Sequence, residues 1–149
     1  MRYKGTLFWK EDEPGAILET VQLDRVKFSA DIFLHGVCGI FALALHKKFG
    51  YDVVVLAEEN IEGLDWYDRL IHVFCRKGSA FIDVRGVTAD EEAFLDEFSD
   101  FTSRHDECFQ IQPQELESVV QREMSLKEYH DFLYAAENLI EKYQDGYRV

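Results

Sequence analysis

Three residues of this chain, Cys38, His72 and Asp83, are of the types that nucleophilic catalysis by a thiol requires. Such catalysis needs a thiolate, a base that exchanges its proton and a group that orients the base. Cys38 follows the turn-like His35-Gly36-Val37 and opens an apolar run. We expect it at the start of a helix, where unpaired amides and the helix dipole stabilise a thiolate. The chemistry indicated is attack of that thiolate on a carbonyl carbon.

His72 and Asp83 lie in two strand-like runs on either side of a turn. The runs cover residues 70–76 and 80–85, and Lys77-Gly78-Ser79 between them predicts a hairpin. With that turn, Asp83 lies opposite residue 72, 73 or 74, and the exact register of the two strands decides which. In two of the three registers its carboxylate lies directly or diagonally opposite His72 on the same face. Asp83 would then fix the imidazole tautomer and favour the imidazolium.

The remaining pattern predicts an α+β fold with an antiparallel sheet. Residues 37–49 are apolar almost all round, which is typical of a buried central helix, and Gly50 stands where that helix should end. Residues 51–56 form a β-branched run that predicts a buried strand. Four further helices are predicted, over residues 15–28, from the capping-box pair Thr88 and Glu91 onward, over residues 113–122, and over residues 126–143 after the pair Ser125 and Glu128.

The segments around Cys38, His72 and Asp83 resemble the papain-like cysteine hydrolase superfamily, which includes the peptidoglycan-peptide amidases and transglutaminase-like proteins. The resemblance covers roughly residues 30–87 and rests on Leu34-His-Gly-Val-Cys38-Gly-Ile-Phe-Ala-Leu-Ala-Leu, His72-Val-Phe and Ile82-Asp83-Val-Arg-Gly86. It implies a papain-like core, with the central helix packed on a small antiparallel sheet. It also implies Cys38 as nucleophile, His72 as base and acid, and Asp83 as orienting group. The implied reaction is thiol-protease-like hydrolysis or transfer at an amide or ester through a thioester on Cys38, without a cofactor.

Three further residues are weaker candidates for the same site. Papain-type enzymes carry an oxyanion-donating glutamine six residues before the cysteine, and Ile32 occupies that place here. We therefore expect the amide of Cys38 to donate to the oxyanion, with His35 as a second donor. Gly39 would let a substrate backbone come close. Arg85 would hold a substrate carboxylate, with a structural ion pair as its alternative.

Each of the three cysteines also has a histidine three residues before it, which suggests zinc as an alternative. Zinc takes four sulfur and nitrogen ligands in a tetrahedron. Residues three apart on a strand face opposite sides, so His72 and Cys75 cannot easily share a metal. The alternative zinc ligands are therefore His35, Cys38, His105 and Cys108.

The catalytic candidates have structural alternatives as well. Cys38 could be a small buried hydrophobic residue at a helix start, and His72 a structural histidine. Asp83 could pair with Arg85 or Arg69. We expect Cys75, which faces away from His72, to belong to the core.

Length and charge limit the classes of function. The 149 residues suit a single domain, 1–149, which we divide into a core over residues 1–87 and an acidic helical extension over 88–149. The net charge is −13, and residues 87–149 hold 16 acidic and 5 basic side chains, so a nucleic-acid partner is not expected. The acidic helices are instead a candidate surface for a protein partner, and a non-catalytic adaptor is the competing class of function.

The start of the chain indicates where the protein works. Its mixed, charged opening does not resemble an export signal, and no apolar run approaches the ~18 residues of a membrane span. We therefore expect a cytoplasmic protein with reduced thiols and no membrane partner. Its expected partner is a peptide, protein or small amide or ester substrate.

Overall fold

The two candidate site strands belong to a five-stranded antiparallel sheet. The computed structural model describes residues 20–23, 26–59, 63–99 and 106–149, with side chains from residue 30 onward. In spatial order the strands, numbered along the chain, are β6 (Gly86–Thr88), β5 (Ala80–Asp83), β4 (Leu70–Lys77), β3 (Asp52–Ala57) and β7 (Glu107–Ile111). This sheet and the helices packed on it confirm the α+β class.

The central helix is α2 (Cys38–Phe49), and it starts within one residue of its predicted position. Its first eight residues are all buried because small or apolar side chains occur on every side. Gly50 ends the helix with a left-handed φ of 76°, a conformation that favours glycine. The helix packs against β4 and also against α4 (Pro113–Arg122) and α5 (Leu126–Lys142).

Helix α5 begins with the predicted capping box. The Ser125 hydroxyl accepts from the Glu128 amide at 3.1 Å, and the Glu128 carboxylate accepts from the Ser125 amide at 3.3 Å. Among the described helices, none combines the length and the apolar character that crossing a membrane demands. The remaining helices are short: α1 (Ile32–His35), α3 (Glu91–Asp96) and α6 (Gln144–Tyr147), with a 3₁₀ turn at Trp66–Arg69.

The N-cap predicted at Thr88 is wrong, because the helix is capped two residues later. Thr88 pairs with Phe81 as the last residue of β6, so its backbone is extended. Asp90 caps α3 instead, and its carboxylate accepts from the Ala93 amide at 3.0 Å. The Thr88 hydroxyl accepts from the Asp90 amide at 3.1 Å and so holds the connection between strand and helix.

The helix predicted over residues 15–28 is wrong where the structure describes that segment. Two antiparallel strands, β1 (Thr20–Leu23) and β2 (Val26–Ser29), pair there instead, and residues 15–19 and 24–25 lie outside the described part of the chain. Apolar residues alternate with polar ones on both sides of Asp24-Arg25. That period of two suits strands better than the imperfect helical period from which we predicted a helix.

The division at residue 87 does not separate two packing units. Strand β7 adds to the edge of the sheet by pairing with β3, and α4 and α5 pack on α2. Residues after 87 therefore complete the sheet and cover the central helix rather than extend a finished core. The short β6 and the polar edge strand β7 were not predicted, because neither has a sustained apolar pattern.

We expect Ser125→Ala to lower the free energy of unfolding by about 1 kcal/mol, the usual cost of a lost N-cap. Chemical denaturation of the two proteins measures the difference. Ser118→Ala, an exposed position inside α4, is the matched control and should change stability by less than about 0.5 kcal/mol. Equal effects of the two substitutions would show that the capping box adds nothing.

Candidate active site

Cys38 is the first residue of α2, and only 7% of it is exposed. The amides of Gly36 and Val37 both donate to the Ile32 carbonyl, at 2.9 and 2.8 Å, which closes α1 before α2 begins. The first amides of a helix lack partners inside that helix and carry the positive end of its dipole. The sulfur therefore lies where negative charge is favoured, as the sequence predicted.

A backbone amide of β4 also points at this sulfur. The pairing of β4 with β5 ends at Cys75 and Ile82, so Val73 lies beyond it. There the Val73 amide donates to Cys38 Sγ at 3.4 Å. A donor aimed at sulfur stabilises the thiolate more than the thiol.

His72 is completely buried on β4. Its ring stacks on Phe98 with centroids 4.3 Å apart, and Phe74 and Phe94 lie at 5.9 and 6.1 Å. Nε2 lies 3.0 Å from Asp83 Oδ2. Because an ionised carboxylate only accepts hydrogen bonds, Nε2 carries the proton of this contact. Asp83 thus sets both the tautomer and the orientation of the ring.

The hairpin register explains why these two side chains meet. Cys75 pairs with Ile82, so one more step places Asp83 opposite Phe74, on the face that also carries His72. Asp83 is then diagonal to His72, which is one of the two productive registers predicted from the sequence.

Arg85 holds the other side of the Asp83 carboxylate. Its amide donates to Oδ1 at 2.9 Å, and its guanidinium donates to Oδ1 from Nε at 3.1 Å and to Oδ2 from Nη2 at 2.7 Å. Arg85 has no exposed surface, its Nη2 also donates to the Phe94 carbonyl, and its guanidinium lies 4.6 Å from the Phe94 centroid. The proposed contact with a substrate carboxylate is therefore replaced by the alternative, a structural ion pair.

This arrangement shifts the proton affinities of both partners. Burial alone raises the pKa of Asp83, but the charge of Arg85 and the hydrogen bonds from His72 and Arg85 hold that pKa well below its usual range. Burial alone lowers the pKa of His72, yet the hydrogen bond to Asp83 and the neighbouring Cys38 thiol raise it above its ordinary value. The carboxylate stays ionised, and the imidazole gains a proton more readily than in water.

The second nitrogen of His72 is not engaged by Asp83. Nδ1 is buried and has no hydrogen-bond partner among the residues that the structure describes. The Cys38 thiol lies close enough to raise the pKa of His72, and its sulfur accepts a hydrogen bond from the Val73 amide. The thiol and the imidazole are therefore neighbours at the start of α2.

His35 is tied to the α3 side of the site. Its Nε2 lies 3.0 Å from Glu97 Oε1, and its ring centroid is 5.8 Å from that of Phe98. The oxyanion role that we assigned to His35 therefore competes with an existing contact to Glu97.

Gly39 allows α2 to approach α4, so its role is in packing. A Cβ at this position would lie 3.2 Å from Leu116 Cδ1 and 3.2 Å from Val120 Cγ2. The predicted opening toward a substrate backbone is therefore filled by α4.

The other two cysteines lie apart from this site. Cys75 is fully buried, and its Sγ donates to the Ala42 carbonyl at 3.3 Å, which confirms it as a core residue. Cys108 is exposed on the edge strand β7, and partial burial raises its pKa. For the alternative zinc site, His105 lies outside the described residues. Within the described ranges no group of three or more candidate ligands comes together.

Phe94, Phe98 and Tyr147 were missed by sequence reasoning. The spacing of four between Phe94 and Phe98 predicts a shared helix face, but α3 ends at Asp96, and no spacing shows that both rings cover His72. Tyr147 donates to the Val84 carbonyl, beside Asp83, from the far end of the chain. No local pattern could have identified that contact.

Comparison of the chain with known protein families finds no match, and neither characterised proteins nor solved structures match it. Its chemistry is therefore inferred from the geometry of these side chains.

We expect Asp83→Asn to lower the free energy of unfolding by about 3–5 kcal/mol at pH 7, because it leaves the Arg85 charge buried without a partner. The folded-state pKa of Asp83 is lowered, so its contribution is present above about pH 4 and is lost as the pH falls further. Denaturation at pH 7 and pH 3 should show the difference from wild type shrinking in acid. Asp52→Asn, at an exposed position on β3, is the control and should change stability little at either pH.

We also expect Cys38→Ala to lower the pKa of His72, since the thiol is one of the groups that raise it. Titration of the His72 imidazole by NMR measures this change. Cys75→Ala, which removes a sulfur bonded to the Ala42 carbonyl, should leave the titration unchanged. An unaltered His72 titration in Cys38→Ala would mean that the two groups do not interact.

Proposed function

We propose that this protein is a papain-like cysteine hydrolase or acyl transferase that acts on an amide or ester through a thioester on Cys38. The observation that carries the proposal is the hydrogen bond from His72 Nε2 to Asp83, which leaves Nδ1 without a partner in an imidazole that neighbours the Cys38 thiol. The order of cysteine, histidine and aspartate along the chain also supports it. So does a buried central helix on a small antiparallel sheet.

The proposed reaction has two halves. The Cys38 thiolate attacks the carbonyl carbon and forms a carbon–sulfur bond, and the His72 imidazolium gives its Nδ1 proton to the departing amine or alcohol. A water molecule, or another nucleophile in a transferase, then gives a proton to His72 and attacks the thioester. The carbon–sulfur bond breaks, the acyl group is transferred to that nucleophile, and the Cys38 thiolate forms again. The Cys38 amide at the helix start is the proposed oxyanion donor.

Asp83 acts in this scheme by orienting the ring. Its carboxylate is held ionised by Arg85, so a proton on His72 has no tendency to move to it. The imidazole can then exchange a proton only at Nδ1, the nitrogen that serves Cys38 in the proposed reaction. The proposed substrates are peptides, proteins or small amides and esters.

The state of the cysteines fits work in a reducing compartment such as the cytoplasm. Cys38, Cys75 and Cys108 are all free thiols, and a nucleophilic cysteine needs its thiolate unoxidised.

A second candidate function is a non-catalytic adaptor with the same fold. The specific observation in its favour is burial, since His72 has no exposed surface and Cys38 very little. In that case the acidic helices α4 and α5 would form the surface for a protein partner.

Alkylation with iodoacetamide separates the two functions. For the hydrolase we expect Cys38 to react at pH 6 about tenfold faster than Cys108, because the thiolate is the reacting form. Mass spectrometry of the labelled peptides measures both rates. Cys38→Ala should abolish the fast reaction, whereas Cys75→Ala and Cys108→Ala should keep it. Equal labelling of all three variants would contradict the proposal and favour the adaptor.

His72→Ala should slow alkylation of Cys38 because the imidazolium that stabilises the thiolate is lost. His46→Ala is the matched control, since His46 Nδ1 bonds the Tyr51 carbonyl at the far end of α2. It should leave the rate at Cys38 unchanged.

A further inference from the structure

The turn between β5 and β6 consists of two residues, Val84 and Arg85. Asp83 pairs with Gly86 across it, so a single central peptide group, Val84 C=O and Arg85 N–H, joins its two corner residues. The N–H side of that peptide donates to Asp83 Oδ1 at 2.9 Å. The turn therefore donates a hydrogen bond to Oδ1 of Asp83, while Oδ2 accepts from His72.

The carbonyl side of the same peptide accepts from Tyr147. The Tyr147 hydroxyl donates to the Val84 oxygen at 2.6 Å, and both residues are buried. Two hydrogen bonds thus hold opposite edges of one peptide plane, from Asp83 and from the end of the chain.

Control of this plane matters because the central peptide is the flexible part of a two-residue turn. Turn types I and II, and their mirror forms, differ by a flip of that peptide with little change in the flanking strands. A flip here would point the Arg85 N–H away from Asp83 Oδ1. The hydroxyl of Tyr147 opposes it, because a flipped Val84 carbonyl would lose its buried donor.

Tyr147 is itself fixed from two directions. Its backbone carbonyl accepts from the Tyr51 hydroxyl at 2.8 Å, and its ring centroid lies 5.4 Å from that of Phe41 on α2. One side chain therefore contacts both the helix that begins with Cys38 and the turn that follows Asp83.

We propose that Tyr147 is a positioning residue of the Cys38, His72 and Asp83 site. Its hydroxyl fixes the peptide between Val84 and Arg85, and that peptide holds Asp83 in the orientation that bonds His72. The inference rests on the proposed function for its effect on reactivity, whereas its effect on His72 can be observed without any substrate.

The test compares Tyr147→Phe with Tyr129→Phe in the full chain. Each substitution removes the hydroxyl of a buried tyrosine, but Tyr147 bonds the turn beside Asp83, whereas Tyr129 donates to Glu117 on α4. In Tyr147→Phe we expect a lower pKa of His72 by NMR titration. We also expect alkylation of Cys38 by iodoacetamide to slow by about tenfold, the factor that one lost hydrogen bond supplies. Tyr129→Phe should resemble wild type in both measurements.

An unchanged His72 titration in Tyr147→Phe, or an equal change in Tyr129→Phe, would overturn the proposal. A slow wild-type Cys38 would refute the hydrolase but not this inference, which the His72 titration alone would then decide. Hydrogen exchange of the wild-type Arg85 amide provides a test that needs no variant. We expect exchange as slow as that of the sheet amides, and rapid exchange would contradict the proposed hold on this peptide.

Discussion

An ionised carboxylate enclosed by protein needs donors on every side, and Asp83 is such a group. Taking one ion out of water costs several kcal/mol, so a buried charge persists only where opposite charge and hydrogen bonds replace the lost hydration. Arg85 supplies a guanidinium and an amide, and His72 supplies Nε2–H. The three residues thus form one unit, because removing any of them leaves a buried polar group without its partner.

The aromatic rings around this unit strengthen it. Phe94 and Phe98 lie against the Arg85 guanidinium and the His72 ring, so water is kept away from the ion pair. Hydrogen bonds between charged groups are stronger where the surroundings are apolar. The role of α3 and the residue after its C-cap is therefore to close the face of the sheet on which the carboxylate lies.

The thiol beside this unit belongs to the helical layer, because Cys38 is the first residue of α2. Helix α2 packs on β4, and β4 parts from β5 at the point where Val73 meets Cys38. The end of the chain joins the same layers, since Tyr147 contacts both Phe41 and the turn after Asp83. The site thus depends on residues from both sides of position 87.

Much of this fold is visible in local sequence. The central helix, the β4–β5 hairpin, α4 and α5 follow from apolar periodicity, a turn glycine and a capping box, all of which act within a few residues. The contact between His72 and Asp83 could be predicted for the same reason, because both lie in one hairpin and strand alternation decides their face. The catalytic role of that contact remains a prediction.

Only the tertiary structure decided the rest. The sequence left Arg85 as a candidate for binding a substrate carboxylate, but its burial against Phe94 shows that it pairs with Asp83. It left Gly39 as a candidate for close approach of a substrate, but α4 fills the space beside it. Strand β7 forms because β3 offers it an edge, and Tyr147 reaches the Val84 carbonyl across 63 residues of chain. The physical reason is common to all four. The sequence determines which segments are apolar, turned or capped, but the partner of a side chain depends on which distant segments pack together.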